Sequence, residues 1–376
     1  MTERAFNPKR LREARMVREL SIAELADKIG VSKQAISQFE LGESIPKAEN
    51  MMAIINALRF PKSFFYGDSE QYVGNTFFRA YATATKKSRE IQLNKSYLAG
   101  YIYDYLSKYI DFPKLNLPDT KDFSNCNWDA VSIEKLVQLT RDHWGLGDKP
   151  ITNIVNLLER NGIMVFTIHM DSEKIDAFCQ HRKGRPFIFL GDDKQSAVRR
   201  QLDGAHELGH RLMHEDVNND LLSKEEFKKI EEQANRFASA FLLPAEAFAK
   251  TVTSTSLLHF VELKKYWKVS IAAMIYRCKD LGLISESKFT SLFKQMSMKR
   301  MRVKEPLDDV IPVPEPVVLR KSIQMLLEKN VKNELQIIHE SGVPQEYVEM
   351  FCNLDPGALN VKDPEATVKL AANPLN

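Results

Sequence analysis

The sequence predicts an α+β protein, mostly helical and divided into several domains. Three observations predict it. Capping residues and glycines recur at helical spacing through the first 68 residues. Runs rich in β-branched and aromatic residues cluster within residues 162–190. Four prolines fall in Glu305–Pro316 (EPLDDVIPVPEP), where lost amide donors and restricted backbone angles mark a linker. At roughly 150 residues per domain, the 376-residue chain has room for two or three domains and needs no disulfide staple.

Composition narrows the class. Hydrophobic residues make up 44% and charged residues 27%, as in a soluble globular protein. The net charge of +3 names no partner, so any basic surface must be local. Cys126, Cys179, Cys278 and Cys352 are scattered, with no CxxC, which fits reduced thiols and a cytoplasmic protein. The start, MTERAFNPKRLREARM, lacks the apolar core of a secretory signal. No apolar stretch reaches the ~18 residues of a membrane helix, so a membrane partner is not expected.

Residues 1–68 predict a helix-turn-helix. Ser21 and Glu24 form a capping box, Leu25, Ala26 and Ile29 an apolar face, and Gly30 suits a left-handed helix end. Ser32 caps the second helix, Ile36 and Phe39 face inward, and Gly42 ends it. Ser32, Lys33, Gln34, Ser37 and Gln38 then form an outward face suited to phosphates and base edges. Residues 1–18 carry a net +4, which would lie along the phosphates of double-stranded DNA. The pattern from Leu25 to Gly42 resembles the XRE or Cro/C1-type helix-turn-helix family. That resemblance covers about 60 residues and implies a five-helix domain that binds paired half-sites as a homodimer.

Residues 69–150 read as a helical connector. Tyr97, Tyr101, Tyr105 and Tyr109 recur every four residues. Such a stripe is an ordinary core face, or a surface that stacks single-stranded DNA. Residues 151–304 mix helix and strand. Gly162–Met170, Ala177–His181 and Pro186–Leu190 predict a small antiparallel sheet, with Lys183-Gly184 at a hairpin turn. Pro186–Leu190 would serve as sheet core or as an edge that pairs with an extended peptide. A helix is expected from about Ser196. Residues 305–317 form the proline-rich linker, and residues 318–376 a small C-terminal segment of unknown role.

The chemistry concentrates in GAHELGHRLMH. His206, Glu207 and His210 make H-E-x-x-H, and residues four apart share a helix face, so both imidazoles reach one ion. Glu207 beside them is placed to accept a proton from water. A catalytic zinc needs a third protein ligand. Glu231 lies 21 residues after His210, in EEQANRFASAFLLP. Glu231 shares a helix face with Asn235, which would orient a liganding ring; Glu232 is the alternative ligand. His214, one turn beyond His210, reads as a supporting or substrate-facing residue, or else as a solvated surface histidine.

The segments RPFIFLGDDKQSAVRRQLDGAHELGHRLMH and EEQANRFASAFLLP resemble the ImmA/IrrE family of zinc peptidases. WKVSIAAMIYRCKDLGLIS and MKRMRVKEP resemble the version of that family fused behind an XRE domain, and the likeness spans about residues 7–320. It implies Zn2+ at His206, His210 and Glu231, and catalysis by Glu207. It also implies cleavage of a repressor-type protein in stress or mobile-element control. Many relatives carry an acidic residue where Gln233 stands. The full expectation is an α+β fold with an N-terminal five-helix XRE-type domain and a zincin-like domain holding a small antiparallel sheet and the HExxH helix. The alternative function is a zinc-containing sensor that binds DNA without cutting protein.

Overall fold

The computed structural model describes residues 5–68, 77–78, 85–123, 126–170, 177–192, 196–215, 217 and 221–360. Among these, residues 5–68, 97–109 and 319–360 form one compact unit, and residues 77–78, 85–96 and 110–318 form another. This division cuts across the stretch-by-stretch boundaries the sequence suggests, as each unit shows.

In the first unit, α1 (Pro8–Val17), α2 (Ile22–Ile29), α3 (Lys33–Leu41) and α4 (Ala48–Leu58) precede a 3-10 turn at Lys62–Tyr66. The expected fifth helix is thus this 3-10 turn. Ser21 and Glu24 make the full capping box, Ser32 accepts from the Ala35 amide, and Gly30 and Gly42 end their helices with positive φ. Leu25, Ala26, Ile36 and Phe39 are buried as the spacing requires.

The arginines of α1 depart from expectation. Arg15 forms a two-pronged pair with Glu40, at 2.6 and 2.8 Å. Arg10 donates to the Asp68 carbonyl and stacks on Tyr101, 3.4 Å from the ring centre. Arg18 donates to the Leu58 carbonyl and pairs with Glu346. Of the described basic residues in residues 5–18, Lys9 and Arg12 are the exposed ones. A guanidinium offers five donors, and carboxylates and carbonyls close at hand claim them here instead of phosphate.

The tyrosines divide between core and surface. They fall on α5 (Lys86–Leu106) and just beyond, and Tyr97–Leu106 belongs to the first unit. Tyr101 and Tyr105 are buried, and the Tyr101 hydroxyl donates to Glu13 at 2.9 Å. Rings committed to a core cannot stack nucleotides, so Tyr101 and Tyr105 are core residues, whereas Tyr97 is half-buried and Tyr109 exposed. The C-terminal helices α14 (Val318–Glu328), α15 (Glu334–Ser341) and α16 (Gln345–Phe351) also pack here from Leu319 onward. Ile323, Leu326, Ile337, Val348 and Phe351 are buried, and Tyr347 lies 6.2 Å ring to ring from Phe60. Such an apolar set needs cover, which explains why this segment is not a separate appendage.

The second unit holds the sheet. Its strands are β1 (Phe77–Phe78), β2 (Met164–Ile168), β3 (Ala177–Arg182) and β4 (Arg185–Gly191), in the order β1-β3-β4-β2. Lys183 and Gly184 both have positive φ, the conformation of the two-residue hairpin joining β3 to β4. The sheet is mixed where an antiparallel one was expected: β4 pairs antiparallel with β3 and parallel with β2. β2 and β3 run in opposite directions, so the strand inserted between them must be parallel to one. For the same reason β4 is paired along both sides and offers no edge to a peptide.

Register sorts the faces. Phe166, Phe189 and Phe178 align across three strands as a stacked aromatic row, with ring centres 4.9 and 4.6 Å apart. Val165, Ile188 and Cys179 align on the opposite face and join the core that contains Ala205, Leu208 and Phe237. That core is built by α6 (Ala130–His143), α7 (Ile154–Arg160), α8 (Ala197–Met213), α9 (Lys224–Leu242), α10 (Ala245–Thr251), α11 (Leu257–Trp267), α12 (Ile271–Asp280) and α13 (Glu286–Met298).

The proline-rich stretch packs rather than tethers. Glu305 accepts from the Ile271 and Ala272 amides at the start of α12 and, with Asp308, pairs with fully buried Lys264. Arg200 bonds the carbonyls of Gly191 and Pro314, and Glu159 accepts from the Val317 and Val318 amides. Buried charges need such partners, so residues 305–317 are fixed by them.

Candidate metal centre

Two helices build the centre. α8 carries His206, Glu207 and His210; α9, started by a Ser223–Glu226 capping box, carries Glu231 and Asn235. Their close approach depends on a missing side chain. A Cβ at Gly209 would stand 3.0 Å from the Phe237 ring, tighter than ordinary contact. On another side of α8, a Cβ at Gly204 would stand 3.0 Å from Ile154 of α7. Alanines at 234, 238 and 240 and the stacked Phe237 and Phe241 complete the α9 contact.

The donor atoms converge. His206 and His210 place their Nε2 atoms 2.9 Å apart. Glu231 Oε1 is 3.1 Å from His210 Nε2, and Oε2 is 3.5 Å from His206 Nε2. Three bonds of about 2.0–2.1 Å meeting near tetrahedral angles would space their ligand atoms by about 3.3 Å. The observed spacings bracket that value, and the set of two imidazoles and one carboxylate suits a zinc ion. Glu232, the alternative, is exposed and lies beside Lys228, 3.7 Å away.

Outer hydrogen bonds fix which nitrogen of each ring is free to bind. Asn235 Oδ1 accepts from His206 Nδ1 at 3.0 Å, so that nitrogen carries the proton and Nε2 keeps its lone pair. Gln233 Oε1 accepts from His214 Nε2 at 3.0 Å. His214 Nδ1 is then an acceptor, and it receives the proton of His210 Nδ1 at 3.1 Å. Both ligand rings therefore aim lone pairs at one point beside a carboxylate. Such a point could hold a cation.

Electrostatics agree. Burial would raise the Glu231 carboxyl, yet the His206 and His210 rings beside its oxygens outweigh burial and hold it down at about 2. Burial, helped by the neighbouring His210, pushes His214 down to about 3, so this ring is neutral. Glu207 is fully buried. Burial and the nearby Glu207 charge push the Cys179 thiol up, which puts that carboxylate near β3.

The structure thus brings His206, His210, His214, Glu231 and Asn235 together, with Glu207 buried next to His206 on the same helix. Gln233 and the carbonyls of Asn127 and Trp128 behind it were not anticipated as parts of the centre. The available signal was the buried position of Gln233 in an otherwise charged run. In the first unit, Ser32, Lys33 and Gln34 lie exposed at the start of α3, with Ser37 and Gln38 half-buried beyond them.

Fold and site define a class: a helix-turn-helix regulator carrying a metallopeptidase-type domain. The comparisons agree on both parts. Residues 11–65 match the family model described as helix-turn-helix, and residues 158–279 match the M78 peptidase model described as IrrE N-terminal-like domain. The chain therefore joins an XRE-type helix-turn-helix to an IrrE N-terminal-like domain, and the former supports binding of double-stranded DNA. No curated protein matches the chain. Among solved structures, a Mycobacterium tuberculosis transcriptional regulator is similar at 16% identity and a TM-score of 0.30, over 49% of this chain and 50% of that one. The chain thus spans about half the length of that structure. No helix among the described residues is long and apolar enough to cross a membrane.

Proposed function

We propose that this protein is a DNA-binding regulator, acting in the cytoplasm, whose IrrE-like domain is a zinc-dependent endopeptidase. Its substrate is a repressor-type protein under stress or mobile-element control. The observation that carries this reading is the convergence of two imidazole lone pairs and the Glu231 carboxylate beside buried Glu207.

His206, His210 and Glu231 would hold the ion, with Asn235 and His214 fixing the two rings. Zinc held by these residues would supply Lewis acidity to a peptide carbonyl and to water. Glu207 takes the proton from the attacking water, whose oxygen adds to the carbonyl carbon. As the C–N bond breaks, Glu207 passes that proton to the leaving amine. In the other part of the chain, residues 1–68 would bind operator DNA as a homodimer. Lys33, Gln34, Ser37 and Gln38 would meet the groove, and Ser32 would cap the helix that presents them.

The test is incubation of zinc-loaded protein with repressors encoded near its own gene. Cleavage by the natural chain, lost in Glu207→Gln with zinc retained, is the expected result. A fully active Gln variant overturns the role of Glu207. Intact DNA binding with no cleavage of any candidate favours the sensor alternative.

A further inference from the structure

Behind His210 stands a chain of hydrogen bonds whose direction is set at its far end. Gln233 Nε2 donates to the backbone carbonyls of Asn127 and Trp128, each at 3.2 Å. Carbonyls only accept, so the amide nitrogen must face them and the amide oxygen must face His214. His214 Nε2 donates to that oxygen at 3.0 Å, and His214 Nδ1 accepts from His210 Nδ1 at 3.1 Å. Each link leaves the next ring one choice of protonated nitrogen. Trp128 holds φ at +48°, a left-handed conformation uncommon for a bulky side chain. Strain of this kind persists only where its surroundings enforce it, and here it accompanies the carbonyl pair that reads Gln233.

We propose that Gln233 is a positioning residue: through His214 it locks His210 with its proton on Nδ1, so that Nε2 is ready for the metal before metal arrives. The inference rests on the zinc reading above. It gives His214 a task distinct from ligation, and explains why the chain keeps a buried imidazole between two polar side chains. His206 reaches the same state more directly, through Asn235. The two ligand rings are thus held by unequal devices, a single amide for one and a three-member chain for the other. A carboxylate at position 233 would still accept from His214, but its second oxygen would face the two carbonyls.

The first measurement uses the full-length, metal-free protein with 15N-labelled histidine. Long-range nitrogen–carbon-proton correlation spectra should show His210 protonated at Nδ1 and not at Nε2. A His210 found with its proton on Nε2 overturns the proposal. The second compares zinc affinity, by competition with a chelating dye, in the natural chain, Gln233→Leu and Gln233→Glu. Loss of an outer partner typically weakens metal binding by about 10- to 100-fold. That loss is expected for Gln233→Leu, with most of it restored by Gln233→Glu, which keeps an acceptor for His214. If Gln233→Leu binds zinc as tightly as the natural chain, the positioning role fails while the zinc site stands. If the natural chain binds no zinc, the zinc reading fails, and the nitrogen spectrum still decides the tautomer.

Discussion

Two helices of this molecule carry dense runs of chemically strong side chains, and the structure treats them in opposite ways. In α1, Arg10, Arg15 and Arg18 each meet carbonyl or carboxylate acceptors within their own unit. In α8, His206 and His210 meet donor-type atoms like themselves, with Nε2 facing Nε2 at 2.9 Å. Complementary groups that satisfy each other hold a fold together. Two imidazole nitrogens facing one another beside a carboxylate leave a place for a third party, a shared proton or a metal ion. By this contrast, the arginines read as structure and the histidines as a binding site, although the sequence presents both as candidate function.

Substitutions can break or sharpen the contrast. The largest effect is expected for Glu207→Gln. Removing a positioned acid–base typically slows the reaction by about 10²- to 10⁴-fold, with bound zinc unchanged by metal analysis. Arg15→Ala should come next. Arg15 and Glu40 are both nearly buried, at 7% side-chain exposure each, and breaking a buried pair costs about 3–5 kcal/mol. Urea unfolding of the DNA-binding unit would show it; unchanged stability would return Arg15 to the phosphate-binding candidates.

Gly209→Ala tests the closeness of α8 and α9. A Cβ held 3.0 Å from the Phe237 ring overpacks the core, at about 1–3 kcal/mol. Zinc affinity should fall along with Tm. A variant that loses stability but keeps its affinity would separate packing from ligand geometry. The smallest expected effect is that of Arg12→Ala, since Arg12 is exposed. Its Tm should hold, while DNA binding weakens and the salt dependence loses about one phosphate contact.

Acidity offers a further check on the metal-free protein. The unfolded chain protonates His214 near its ordinary 6.5, whereas the folded chain does so only near 3. Between those values the unfolded state binds more protons, so stability is full above pH 6.5 and falls as pH drops towards 3. Glu231, held at about 2 against an ordinary 4.5, adds to the loss from pH 4.5 downward. Urea midpoints measured from pH 7.5 to 4 should hold down to about pH 6.5 and decline below it. A flat profile contradicts the burial of a neutral His214.

Much of this was legible because the signals are local. The capping box, the two glycines and the cap serine specify α2 and α3 within a 22-residue span. His206 and His210 share a face through the helical repeat alone, and the spacing to Asn235 favours Glu231 over Glu232 without excluding the latter. What was not legible depends on contacts between distant segments. Nothing near Arg15 announces Glu40, and nothing near Gln233 announces the carbonyls of Asn127 and Trp128. The parallel pairing of β2 with β4 was hidden for a similar reason. Strand composition gives propensity, whereas the order of strands follows from how the hairpin folds back.

The most direct test is the metal content of the purified protein and of two paired variants. The account predicts one zinc ion per chain, lost in Glu231→Ala and kept in Glu232→Ala. A natural chain without stoichiometric zinc, or one that loses its ion through Glu232→Ala and keeps it through Glu231→Ala, would contradict it.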